Sequence, residues 1–158
     1  MPLMRNIACL AVAIVGVSMA AAAQSQPNLD GKWRMDKARS QYPAESATEV
    51  MHQHHDVVDI SFTETWPGRP NRPMQIHLTT DGKPTVNTIG GNKFTSTTHW
   101  DHGKLVTFVQ GDRGQHMTEI RELSPDGKEL TVTGYHQDEL TKPYYVRVMV
   151  RAGLSPEK

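Results

Sequence analysis

Cysteine is almost missing from this chain, and the single one, Cys9, lies inside the first apolar run. Without a second thiol no internal disulfide can form, so the fold has to be held by packing. Aromatic residues make up only 6% of the chain, which leaves few large rings to fill an interior. No block of Lys or Arg occurs, nor any stretch where basic residues alternate with aromatics, so nucleic acid is not an expected partner. Gly-x-Ser-x-Gly, a phosphate-cradling Gly loop and His-Glu-x-x-His are all missing. No catalytic residue, cofactor or enzymatic activity is therefore expected. Beyond the N-terminal run no apolar stretch reaches the roughly 20 residues of a spanning helix, so membrane insertion of the remaining chain is not expected either.

That first run reads as an export signal. Arg5 supplies a positive start, Ile7 to Val17 are apolar, and Ala21-Ala22-Ala23 offer a small-residue cleavage site. The run is about half the length of a membrane span. Residues 1–23 are thus expected to be a signal peptide and 24–158 a single domain, located in the periplasm or secreted. Removing Arg5 turns the balance of 17 basic against 17 acidic residues into a net charge of −1.

The rest of the chain is a string of hairpin signals. Segments 57–65, 74–80, 93–100, 104–110, 115–123, 128–136 and 144–151 alternate apolar and polar residues, as strands with one buried face do. Between them stand Asp81-Gly82, Gly90-Gly91, Asp101-His102-Gly103, Asp112-Arg113-Gly114 and Pro125-Asp126-Gly127, residues that supply the positive φ of tight turns. Segments 31–36 and 47–54 are further strands, 85–89 a short one, and Asp36 caps a single helical turn before Tyr42. Eight to ten antiparallel strands joined by short sequential turns predict an all-β, up-and-down barrel, since closure removes exposed edges. The expected core is Phe62, Ile76, Leu78, Phe94, Leu130, Val132, Val146 and Val148. In segment 115–123, Met117 and Leu123 share a face with Glu119 and Arg121, so either a bulge shifts the register or a charged pair points into the barrel. Pro67 to Pro73 is the one long irregular connection, at a barrel mouth or out in solvent.

Asn28-Leu29-Asp30-Gly31-Lys32-Trp33 resembles the Gly-x-Trp opening of lipocalins and related calycin barrels. With Ser124-Pro125-Asp126-Gly127-Lys128 near the end, the chain is similar to secreted bacterial lipocalin-like domains of uncharacterised function. The resemblance implies that Trp33 closes the barrel base under a basic side chain from the last strand, Arg147 or Arg151. A closed barrel of eight to ten strands with few aromatics to fill it is expected to leave a cavity for a small, mostly apolar molecule. The inward residues together with Trp100 and Tyr144 would line it, making Phe62, Phe94, Trp100 and Tyr144 the expected ligand contacts.

Two other readings compete. His52 and His54 fall on one strand face, about 7 Å apart, a spacing that two ligands of one metal ion can bridge; an envelope protein binding metal or haem would use them. A protein-protein interaction module would instead expose a large apolar patch. Glu64 and Glu119 are the carboxylates whose faces can be internal.

Overall fold

The computed structural model describes residues 26–136 and 139–153; the predicted signal peptide lies outside them. Ten strands follow one another: β1 (Gly31–Met35), β2 (Ser46–His54), β3 (Val57–Thr65), β4 (Arg72–Thr79), β5 (Asp81–Ile89), β6 (Asn92–Asp101), β7 (Lys104–Gly111), β8 (His116–Leu123), β9 (Glu129–His136) and β10 (Tyr145–Arg151). All pairings are antiparallel, in the order β4-β3-β2-β1-β10-β9-β8-β7-β6-β5. Among the described residues only the β1–β10 pairing joins strands distant in sequence, and it rolls the meander into a barrel.

Local chemistry sets the boundaries. His102 and Gly103 both take positive φ (46° and 79°), the two-residue hairpin geometry that the right-handed strand twist favours. Asp36 caps the 3-10 turn Lys37–Arg39, its side chain accepting from the Ala38 and Arg39 N–H groups. Asp81-Gly82 differs from the expected hairpin turn. Thr80 alone links β4 to β5, and the positive φ of Gly82 (77°) serves an irregularity inside β5, where the register with β6 shifts between Asp81 and Pro84.

The two sheet edges, β4 and β5, meet where the barrel closes, and each carries a proline (Pro73, Pro84) that cannot donate to a ladder. There the buried Asn87 side chain stands in for a backbone rung. Its Oδ1 accepts from the His77 N–H at 2.7 Å and its Nδ2 donates to the His77 carbonyl at 2.9 Å.

Of the expected core, Phe62, Leu78, Leu130 and Val132 are buried in one cluster with Trp33, Met51, Ile60, Leu105 and Met149, and Ile76 packs against it. Val146 and Val148 are a correction. On β10 it is Tyr145, Arg147 and Met149 that face inward, with the valines on the outer face. The cause is register: directly opposed residues share a face, and Tyr145, Arg147 and Met149 pair with the inward Gly134, Val132 and Leu130 of β9. Gly134 is required there, because a Cβ on it would overlap the Tyr145 ring.

Candidate binding cavity

The two ends of the barrel differ. At one end Trp33 is fully buried, its indole N–H donating to the Leu29 carbonyl at 2.9 Å. The Arg151 guanidinium lies 4.2 Å above the ring. Arg151 also donates through Nε to the Gly127 carbonyl at 3.0 Å and through Nη1 to that of Asp30. Gly31 has φ 130°, and a Cβ there would sit 2.5 Å from Arg151 Nη1, which explains Gly in the Gly-x-Trp pattern. Of the two arginines expected to cover Trp33, Arg151 does so.

Arg147 is at the centre of the interior. Its Nη1 lies 2.7 Å from Glu49 Oε1 of β2, and its Nη2 donates to Glu119 Oε2 of β8 at 3.0 Å. Arg121, two residues along β8, contacts Glu119 and stands 3.6 Å from Glu49. The Tyr145 hydroxyl donates to Glu119. Of the two readings of β8, the charged pair pointing inward is the one the structure adopts. Burial alone would raise the Glu119 carboxyl's pKa, but the two guanidinia outweigh it and hold it below the usual carboxylate range. Burial, then Glu119, pushes the Tyr145 phenol well up. Glu119 is thus ionised and Tyr145 neutral at ordinary pH.

Above this cluster opens a cavity of about 560 Å³, with Phe62, Met74, Ile76, Ile89 and Met117 as its apolar wall and the cluster as its polar floor. A smaller space of about 160 Å³, reaching Phe94 and Val109, shares Ile76, Ile89, Met117, Glu119 and Arg121 with it. Aromatic rings crowd the mouth. Tyr42 lies 5.2 Å from Tyr145 and 6.2 Å from Trp66 between ring centroids, and the Arg147 guanidinium lies over the rings of Tyr42, Phe62 and Tyr145. Glu64 accepts from the Tyr42 hydroxyl and, at 2.8 Å, from the Trp66 indole N–H. The segment before β2 is held over the mouth by Lys37, whose ammonium donates to the Tyr42 and Ala44 carbonyls at 2.5 and 2.8 Å. The proline-rich connection after β3 borders the mouth as well, where Arg69 and Pro70 line an antechamber of about 330 Å³ with Glu64, Trp66 and Met74.

Several solved structures share the fold at low sequence identity. The fluorescent protein UnaG superposes with a TM-score of 0.59 at 20% identity, covering 78% of this chain and 97% of that one. Echinococcus granulosus fatty-acid-binding protein 1 gives 0.60 at 12% identity over 78% and 97%. The fatty acid transporter REP1-NXSQ, solved as a point mutant, gives 0.60 at 17% identity over the same shares. The fold is a calycin-type barrel of the fatty-acid-binding-protein kind. No protein-family profile and no curated protein sequence matches the chain.

Within this barrel the expected ligand contacts are spread out. Phe62 lines the main cavity and Phe94 the smaller adjoining space. Tyr144 borders the mouth while 64% exposed, its ring 3.9 Å from that of His136. Trp100 borders none of these spaces; half-buried, it packs against the core near the Trp33 end. His52 and His54 do share one face, the exposed one, and no group of three His, Cys, Asp or Glu poised for a metal occurs among the described residues. Glu64 and Glu119 both border the cavity.

Sequence reasoning missed Glu49, Tyr42, Tyr145 and the inward position of Arg147. A signal existed for Glu49, a lone charge two residues from Ala47 and from Met51, both buried on the same face.

Proposed function

We propose that this protein is an exported carrier that holds one small, mostly apolar molecule in its barrel, apolar body against Phe62, Met74, Ile76 and Met117 and polar end toward Glu119 and its partners. The single observation that carries the reading is the 560 Å³ space walled by apolar side chains and floored by a few convergent polar groups. Small-molecule sites have that size and that division of labour. Two structural neighbours, a fatty acid transporter and a fatty-acid-binding protein, support a ligand with a long apolar body. Export rests on the signal-peptide pattern of residues 1–23. Binding is preferred to catalysis because the interior ionisable groups are locked in mutual ion pairs, with Glu119 held ionised instead of poised to exchange a proton.

A neutral, environment-sensitive dye such as N-phenyl-1-naphthylamine tests the reading. It should bind the mature chain at one equivalent, and Ile76→Trp, which fills the junction of the two spaces, should weaken binding by at least about tenfold, or 1.4 kcal/mol. Dye binding that does not saturate, or that ignores the tryptophan in a folded variant, would refute the carrier.

A further inference from the structure

Three carboxylates, Glu49, Glu64 and Glu119, line the cavity against two guanidinia, Arg121 and Arg147. Both guanidinia are already engaged: Arg147 with Glu49 at 2.7 Å and with Glu119 at 3.0 Å, Arg121 with Glu119 and, at 3.6 Å, with Glu49. Glu49, Glu119, Arg121 and Arg147 are neutral together, and neither of these two guanidinia is left over for an incoming anion. Exposure within it is unequal in a telling way. The Glu119 side chain keeps 11% of its surface open, against 4% for Arg147, 3% for Arg121 and none for Glu49. All four border the cavity, and the most open of them is a carboxylate. At the mouth a second carboxylate, Glu64, takes hydrogen bonds from Tyr42 and Trp66 and adds no donor of its own.

We infer that the cavity selects amphiphiles whose polar end donates a hydrogen bond and bears no negative charge, such as a long-chain alcohol, and discriminates against the corresponding carboxylate. This rests on the carrier reading and specifies its ligand class. A hydroxyl can donate to Glu119 while accepting from a neighbouring N–H or O–H. A carboxylate head only accepts; it would meet Glu119 charge to charge in a site shielded from water, where such repulsion is weakly screened. Pairing that head with Arg147 or Arg121 would require pulling the guanidinium from a buried carboxylate, leaving that anion uncompensated.

The test compares 1-dodecanol with dodecanoate on the wild-type mature protein at neutral pH, each displacing N-phenyl-1-naphthylamine. The alcohol should displace the dye at a concentration at least about tenfold lower than the acid. In Glu119→Gln, which removes that most open charge, the ratio should narrow through improved dodecanoate binding. Dodecanoate binding as well as or better than dodecanol overturns the inference and leaves the carrier reading standing. An unchanged ratio in a folded Glu119→Gln protein overturns it too, and the wild-type ratio decides alone if that variant does not fold. Absence of a saturable dye site defeats the carrier reading itself, and the inference with it.

Discussion

The two ends of this barrel are built on opposite terms. At the closed end Trp33, Leu29, Met51, Val58, Leu105, Leu130 and Met149 are buried together, and the charge brought over them, Arg151, lies above the indole with its N–H groups on backbone carbonyls. At the open end the same ten strands enclose space, and the residues between that space and the packed core are Glu49, Glu119, Arg121 and Arg147. Desolvating four charges costs several kcal/mol per ion and their attraction does little more than offset it. A chain selected for stability alone would carry apolar side chains at those positions, as it does a few residues further along the same strands. The difference therefore separates a part that holds the barrel together from a part shaped by what it meets.

The largest effects should come from removing one element at each end. Trp33→Ala should cost about 3 to 5 kcal/mol through the cavity it leaves. Arg147→Met should cost a similar amount, about 3 to 5 kcal/mol, for a different reason: it removes the nearer of the two guanidinia that offset the buried Glu49 charge, leaving only Arg121 at 3.6 Å. The double variant Glu49→Leu with Arg147→Met tells the two apart. It leaves Glu119 paired with Arg121, so most of the loss should be recovered, whereas no partner substitution should rescue Trp33→Ala. Urea denaturation of the wild-type protein, Trp33→Ala, Arg147→Met, Glu49→Leu and the double variant measures this, and a double-variant loss equal to the sum of its two single losses would show that the cluster is ordinary packing.

Smaller losses test how the open end is shaped. Gly134→Ala would force the Tyr145 ring aside and should cost about 1 to 3 kcal/mol by overpacking. Asn87→Ala removes two of the hydrogen bonds that bridge β4 to β5 and should cost about 1 to 2 kcal/mol. It should also speed amide exchange at His77 more than at the closed end. Uniform exchange across the two ends would contradict a special closure at this seam.

The strands and turns were readable because their signals are local. Alternation runs cleanly through Val58, Ile60 and Phe62, and Gly or Asp stands at nearly every hairpin. The face of β10 was not readable that way. Val146, Val148 and Val150 look more like a core face than Tyr145, Arg147 and Met149, and hydropathy alone chooses wrongly. The choice is made by a partner, since β9 offers Leu130, Val132 and the bare Gly134 to whichever side β10 turns inward. The ion cluster was hidden for the same reason. Its members come from β2, β8 and β10, and only the i, i+2 pair Glu119 and Arg121 are close in sequence.

The smallest expected effect is the open end's share of the acid dependence, and its sign follows from Glu119. Burial raises its pKa, the Arg121 and Arg147 charges lower it by more, and the folded value lies below the unfolded one. A depressed carboxyl contributes stability that is fully present above its unfolded pKa and is lost as pH falls through the folded value. Urea midpoints of the wild-type protein should hold steady near neutrality and decline on acidification below the usual carboxylate range. Exposed carboxyls such as Asp36, held down by the hydrogen bond from Arg39, add to that decline at the surface. The contribution of Glu119 is isolated by difference: Glu119→Gln should show a shallower acid slope, by at most one proton, while Arg151→Gln at the closed end should keep the wild-type slope. Equal slopes in the wild-type protein and Glu119→Gln would mean that this carboxyl is not held ionised by its two arginines, and the electrostatic contrast between the two ends would fail there.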